Sequence, residues 1–400
     1  MYKGGVGQAN SQKIIRTLEL ALDAGCPFIA IWDSGGLRVD EGLAAVDAVG
    51  LIYQRFLDAQ GLIPLISLVL GPCPGSLSLL PAASDLTVLA ADKGGVFLQG
   101  PGITAAEEKP SLTAQDIGGA DVHSKWSGLA AVTTKTGADA ITLCRQLLDY
   151  IPDNADGFIY SVEGDDPNRS ELSLDELASS LDQGYDVHHV LDAVFDKDSI
   201  VELYPDFATE LYGGLARIGG KVVLFLANAA KELGLSSAAK IESLLSLAER
   251  FNYPLITFTD TVGFQTGTEM EKAGISRVAA RIMAAFSSVH VTRINVVLGQ
   301  AIGQAYLIFN SKVSGANIVY AWPTAEIGAL RADSAVHLFK QDALENAKDP
   351  IADKEKIISE YRLNEMAPDK AASYGAVDEV IRPSATRPRI YSALQVLEGL

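Results

Sequence analysis

Two stretches place apolar residues on one stripe of an amphipathic helix. In Lys13 to Gly25, KIIRTLELALDAG, the stripe is Ile14, Leu18 and Ala21; in Lys240 to Asn252, KIESLLSLAERFN, it is Ile241, Leu245 and Ala248. Each predicted helix runs into an apolar, strand-like stretch that ends in Asp and Gly: CPFIAIWDSGG (Cys26 to Gly36) and YPLITFTDTVG (Tyr253 to Gly263). The two copies are offset by 227 residues, Pro27 to Pro254 and Asp33 to Asp260. Further on, ISLVLGPCPGSLSLL (Ile66 to Leu80) faces INVVLGQAIGQAYLI (Ile294 to Ile308). Each reads as a strand, a G-x-x-x-G turn and a small-residue helix, with Gly71 and Gly75 matching Gly299 and Gly303 at an offset of 228. Three features in one order at one spacing predict a tandem duplication.

The second copy is preceded by YGGLARIGGKVVLFLANAA (Tyr212 to Ala230), predicted to be a hairpin turning at Gly219-Gly220. Most of its counterpart would fall before residue 1, so the first copy is expected to lack its opening strands. A separate subunit could supply them, the chain could be truncated, or the domain could have adapted to their loss. Helices alternate with apolar strands in both halves, the pattern of an α/β fold built from repeated ββα units. The acidic stretch between them, with a short helix at SLDELASSL, is expected to be a solvated linker. The expected division is an N-terminal domain over 1–154, a linker over 155–184 and a C-terminal domain over 185–400.

The 400 residues are 48% hydrophobic and 20% charged, enough for a sizeable core. A formal net charge of −18 argues against nucleic acid or an anionic membrane as partner, because phosphates need a local excess of cations. It leaves room for a small polyanion held by a few basic side chains. Cys26, Cys73 and Cys144 form no CxxC pair, so a reducing cytosol is expected. The apolar runs are too short to span a bilayer, and MYKGGVGQANSQK lacks the apolar core of a signal peptide. A soluble cytoplasmic protein is the expectation.

The five histidines show no metal-ligand spacing and no triad companion, and no metal site is expected. Cys73 lacks a base and reads as a small buried filler. The glycine loops offer another tool. A strand that ends in Gly and opens a helix presents unpaired backbone N–H groups, which can hold an oxyanion as it develops. Two such loops suggest two oxyanions, hence a reaction between two carbonyl-containing partners.

At this point a resemblance becomes specific. DSGGLRVDEG (Asp33 to Gly42), GPCPGS (Gly71 to Ser76) and IGGADVHSKWSGLA (Ile117 to Ala130) resemble the N-terminal half of biotin-dependent carboxyltransferases. GGLARIGGKVV, DTVGFQTGTEME (Asp260 to Glu271), GQAYLIFNSK (Gly303 to Lys312), AWPTAEIG (Ala321 to Gly328) and TRPRIYSAL (Thr386 to Leu394) resemble the C-terminal half. The likeness covers nearly the whole chain in the family's order and is of the β-subunit type found in acyl-CoA carboxylases and related decarboxylases.

The resemblance implies tandem crotonase-fold (ClpP/crotonase-like) domains, the first on the acyl-CoA side and the second on the biotin side. It implies a carboxylate moved between biotin on a carrier protein and the α-carbon of a short acyl-CoA. The subunit would serve an acyl-CoA carboxylase or, alternatively, a sodium-pumping decarboxylase; a non-catalytic scaffold of the same fold is the remaining reading. It further implies a homo-oligomer, dimer or hexamer, with shared active sites. Its partners would be a biotin carboxyl carrier protein and a biotin carboxylase or membrane decarboxylase subunit. Because the cofactor brings its own base, the polypeptide would supply positioning and oxyanion stabilisation.

Carried onto this sequence, one hole falls on the amides of Gly75 and Ser76, the other on those of Gln304 and Ala305. Ser76 and Gln304 stand where the family has glycine. Gly303 would border the biotin site, and Leu307 occupies a position that varies with acyl-chain preference. CoA contacts would fall on Gly35, Gly36 and Leu37, and Arg38 either meets a phosphate or is a structural arginine.

Overall fold

The computed structural model describes residues 2–228, 231–339 and 350–398. The chain divides into two compact units. The first is Met1–Tyr160 with Glu202–Thr209 and Arg250–Asn252; the second is Ser161–Val201 with Glu210–Glu249 and Tyr253–Leu400.

In the first unit the predicted amphipathic stripe forms α1 (Gln8–Ala24), with Leu18 and Ala21 buried. Gly25 ends the helix in the left-handed region, where a Cβ would be penalised. Next come β1 (Phe28–Trp32), α2 (Leu43–Ala59), β2 (Leu65–Val69), β3 (Pro72–Pro74), α3 (Leu79–Ala83), β4 (Leu86–Ala90) and β5 (Gly95–Phe97). Short helices α4 (Pro101–Glu107), α5 (Ala114–Gly118) and α6 (Ala120–Lys125) lead to β6 (Val132–Thr134) and α7 (Gly137–Leu148). Strands β1-β2-β4-β6 make a parallel sheet in that order, and every residue of β2 and β4 is buried. Burial on both faces explains why these strands read as continuous apolar runs rather than alternating ones. Strands β3 and β5 form a separate parallel pair beneath the first glycine loop.

His123 on α6 is packed beside that pair. Its Nε2 lies 2.8 Å from the Val96 carbonyl and its Nδ1 2.8 Å from the Ser127 hydroxyl. A carbonyl only accepts, so Nε2–H donates and Nδ1 accepts from Ser127. Burial pushes the imidazole below its ordinary value, so the folded ring stays neutral where the unfolded ring takes up a proton. Between pH 6.5 and the lowered folded value the unfolded state binds more protons, so stability falls as pH falls through that window. Thermal unfolding followed from pH 7.5 to 5.5 is expected to show this loss, and His123→Gln is expected to flatten it.

The second unit contains α8 (Ser173–Ala178), α9 (Val187–Val194), β7 (Val201–Glu202), β8 (Leu211–Ile218), β9 (Lys221–Asn228), α10 (Ser237–Phe251) and β10 (Leu255–Thr261). It continues through α11 (Thr268–Ala273), α12 (Ile275–Ser287), β11 (Arg293–Ile302), α13 (Gln304–Ile308), β12 (Ile318–Ala321), β13 (Glu326–Gly328) and α14 (Ala332–Phe339). Helix Pro368–Ser373, β14 (Glu379–Val380) and helix Thr386–Leu397 follow. The sheet runs β14-β12-β11-β10-β9-β8-β7, with β13 pairing β11. Its parallel run β14-β12-β11-β10 repeats the order β6-β4-β2-β1 of the first unit.

Beyond β10 the second sheet continues into the predicted hairpin β8–β9, which turns at Gly219 and Gly220 with φ of 57° and 82°. Two successive positive φ values are what a type I′ hairpin turn needs, hence the paired glycines. Ala229 and Ala230 of the predicted hairpin lie outside the described residues. Phe258 and Ile256 on β10 are fully buried, Phe258 with its ring 6.0 Å from that of Phe195. Their counterparts Ile31 and Ile29 on β1, the edge strand of the first sheet, are 58% and 38% exposed.

The acidic segment is not simply solvated. Leu174 and Ala178 of α8 enter the core of the second unit, and Arg169 donates to the carbonyls of Ala193 and Phe195. Two apolar positions one helical turn apart suffice to anchor an otherwise polar stretch, a signal that its charge obscures.

Candidate active site

At the first glycine loop, β2 ends at Val69, and the Leu70 and Gly71 N–H groups both donate to the Trp32 carbonyl at 3.0 Å. The chain passes through β3, turns at Gly75 with φ +67°, and enters the helical turn Gly75–Ser78. The N–H groups of Gly75 and Ser76 open that turn, where no intrahelical acceptor exists. A Cβ on Gly75 would meet nothing within 4 Å, so glycine here answers to the backbone angle and faces open space. Gly36, at φ +97°, sits against this loop: a Cβ on it would come 3.3 Å from the Pro74 ring. Gly35 and Leu37 flank it, with Gly35 N–H donating to the Lys3 carbonyl and Leu37 bridging to Val6.

Arg38 donates to the Gly5 carbonyl at 3.2 Å and pairs with Glu41 at 3.3 Å. Cys73 is fully buried, and burial pushes its thiol up to about 12, so it stays protonated and inert as a nucleophile.

The second loop repeats the plan. Strand β11 ends at Ile302, Gly303 turns at φ +57°, and α13 begins at Gln304. Gly303 N–H is taken by the Gly328 carbonyl at 2.8 Å, and the first helical bond runs from Leu307 N–H to the Gly303 carbonyl. Gln304 and Ala305, the first two helical positions, therefore present N–H groups without an intrahelical acceptor. Ala305 is buried, whereas Gln304 and Leu307 are exposed. Gly303, Gln304 and Leu307 line a cavity of about 630 Å³ whose wall includes Ile327, Leu330 and Lys370.

The two loops share a lock that sequence reasoning used only as a marker of the repeat. A Cβ on Gly71 would lie 2.2 Å from Asp33 Oδ1, and one on Gly299 would lie 2.4 Å from Asp260 Oδ1. Each Asp at the end of one strand thus occupies the space left by a glycine on, or just beyond, the neighbouring strand. Asp260 shows what the contact does: Oδ1 accepts from Gln300 N–H at 2.7 Å and Oδ2 from the Tyr185 hydroxyl at 3.0 Å. Burial raises its pKa, against the lowering effect of those two donors. The matching offsets, 227 for the Asp and 228 for the Gly, were the available signal. No such signal marked Lys370 on the cavity wall, whose Nζ lies 3.8 Å from Glu365 and 5.7 Å from the Tyr374 ring centre.

The arrangement can hold negative charge at two backbone sites with no acid–base side chain in either loop. Gly75–Ser76 lies in the first unit and Gln304–Ala305 in the second.

Residues 1–399 match the family described as Carboxyl transferase domain. The propionyl-CoA carboxylase carboxyltransferase subunit of Haloferax mediterranei is 35% identical over 100% of this chain and 78% of its own length. The methylmalonyl-CoA decarboxylase subunit alpha of Veillonella parvula is 34% identical over 98% of this chain and 77% of its own. Transcarboxylase 12S, solved as a hexamer assembly with methylmalonyl-coenzyme A and methylmalonic acid bound, superposes with a TM-score of 0.93 at 30% identity. That match covers 99% of this chain and 77% of the other. The repeated sheets are two crotonase folds in tandem, and the chain belongs to the carboxyl transferase domain family.

Proposed function

We propose that this chain is the carboxyltransferase subunit of a biotin-dependent acyl-CoA carboxylase, moving a carboxylate between carrier-borne biotin and the α-carbon of a short acyl-CoA. The reading rests on the duplicated turn: Gly75 at φ +67° and Gly303 at φ +57°, each after a parallel strand and each opening a helical turn. The first compact unit forms the acyl-CoA side and the second the biotin side; the stretch 155–184, expected as a linker, belongs from Ser161 onward to the second unit, and Glu202–Thr209 and Arg250–Asn252 to the first.

The Gly75 and Ser76 amides hold the thioester oxygen as it gains charge on loss of the α-proton. They are in place before that charge appears, so no reorganisation is needed at the moment of reaction. Gly35, Gly36 and Leu37, seated beside the loop, hold the CoA portion of the substrate. The Gln304 and Ala305 amides face the ureido oxygen of biotin. The cavity bounded by Gly303 and Leu307 fits that group, with apolar walls for its ring and chain and an open glycine turn for its polar edge. Bound biotin supplies the carboxylate carrier and the base; the protein's part is orientation and charge stabilisation. An acyl group of propionyl or acetyl size is the substrate class, in a cytoplasmic homodimer or homohexamer served by a biotin carrier protein and a biotin carboxylase. Among the described residues no helix is long and apolar enough to cross a membrane.

Service in a membrane decarboxylase is the second reading, favoured by the likeness to the Veillonella parvula subunit. Incubating the protein with free biotin and methylmalonyl-CoA or malonyl-CoA is expected to release propionyl-CoA or acetyl-CoA, saturably in both substrates. No release with either thioester, even with partner subunits added, would leave the chain a non-catalytic scaffold.

A further inference from the structure

Gln304 belongs to two cavities at once. On one side is the space of about 630 Å³, walled largely by apolar groups including Leu307, Ile327 and Leu330. On the other is a smaller space of about 190 Å³ with a more polar wall that includes Gln265, Thr266 and Glu271. Residues of α13 and of the loop after β10 reach the smaller one, and Gln304 is common to both walls. Its side chain is exposed, and its carboxamide makes no hydrogen bond to the described residues. A donor and an acceptor on one planar group therefore stand free beside the Gln304 and Ala305 backbone N–H groups.

We infer that the Gln304 side chain is a specificity contact that recognises a cyclic urea or amide edge. An N–H and C=O pair on a ligand matches a carboxamide as two antiparallel hydrogen bonds. The ligand's apolar ring and chain would lie against Leu307 and Ile327 in the larger cavity. The group that meets this description is the ureido ring of biotin, so the inference rests on the reading proposed above and extends it from backbone to side chain. Gln304 reads the ring's edge, while its own N–H and that of Ala305 hold the oxygen. A leucine at 304 keeps the backbone amide and much of the volume but removes both polar atoms, which separates the two roles.

The test is calorimetric titration of the 400-residue protein with biotin methyl ester, a neutral probe, alongside coenzyme A as control. In Gln304→Leu the affinity for the ester is expected to fall about tenfold, the scale of one well-made hydrogen bond in a partly dry site. Coenzyme A affinity and melting temperature are expected to stay put. Equal affinity for the ester in wild type and Gln304→Leu overturns the inference, as does failure of the wild type to bind the ester while still transferring carboxylate. If the wild type neither binds the ester nor releases product from any thioester, the functional reading falls as well.

Discussion

Gly75→Val is expected to reduce carboxyl transfer by at least about a hundredfold, the effect of losing an aligned oxyanion donor. Gly75 has φ +67°, a region that costs an L-residue about 1–2 kcal/mol and a β-branched one more. No atom lies within 4 Å of the added Cβ, so the substitution causes no packing clash. The chain can relieve the strain by rotating the turn, which redirects the Gly75 and Ser76 N–H groups; if it does not, two methyl groups stand in the space kept open for the thioester. Either outcome stops the reaction while leaving the sheet intact. The melting temperature is expected to drop by a few degrees only, since ~1–2 kcal/mol is a modest shift for a unit of this size. The paired measurements are transfer from methylmalonyl-CoA to free biotin and a thermal melt. Near-normal transfer with the strain visible in the melt would remove the first hole from Gly75 and Ser76.

Arg387→Ala is expected to destabilise the second unit by about 3–5 kcal/mol, the range for removing one partner of a buried ion pair. The side chain is 1% exposed and its guanidinium reaches four acceptors. Nε donates to the Asp166 carbonyl at 3.0 Å, Nη1 to the Val194 carbonyl at 2.6 Å, and Nη2 to the Asp165 carbonyl at 3.0 Å and Asp196 Oδ1 at 2.7 Å. Asp196 in turn accepts from the Gly219 and Gly220 N–H groups, at 2.9 Å and 2.7 Å, and so ties down the β8–β9 turn. Truncation leaves a buried carboxylate without its cation and takes the arginine's donors from three carbonyls, of which Asp166 keeps the Arg169 N–H. Arg387→Lys is expected to recover only part of the loss, because an ammonium cannot span four acceptors arranged around a plane. Urea unfolding with a probe in the second unit measures both. A loss under 1 kcal/mol for the alanine variant would mean that water takes over the arginine's contacts.

These two sites differ in how visible they were. The turn at Gly75 was legible because its signal is local and appears twice: a glycine four residues after another, at the end of an apolar run, with the same pattern 228 residues on. Helix periodicity, the hairpin at Gly219-Gly220 and the repeat itself were legible for the same reason, since each depends on neighbours along the chain or on the copy. Arg387 carried no such mark. It lies about 190 to 220 residues from its acceptors, and TRPRIYSAL served only as a sign of kinship. The acidic segment is exposed or half-buried along most of its length and carries the expected short helix, but composition averages over positions and did not single out Leu174 and Ala178, which are buried.

The residue pattern alone determined the duplicated α/β plan, the glycine turns and, through resemblance, the family. Helical stripes, apolar strands and positive-φ turns are set by the backbone and its nearest side chains. Only the tertiary structure decided that Asp33 and Asp260 fill the gaps at Gly71 and Gly299, that Arg38 is held by Glu41, and that Lys370 and Gln304 share one cavity wall. Those contacts join residues distant in sequence, and their formation depends on which chains pack side by side, which no local pattern encodes.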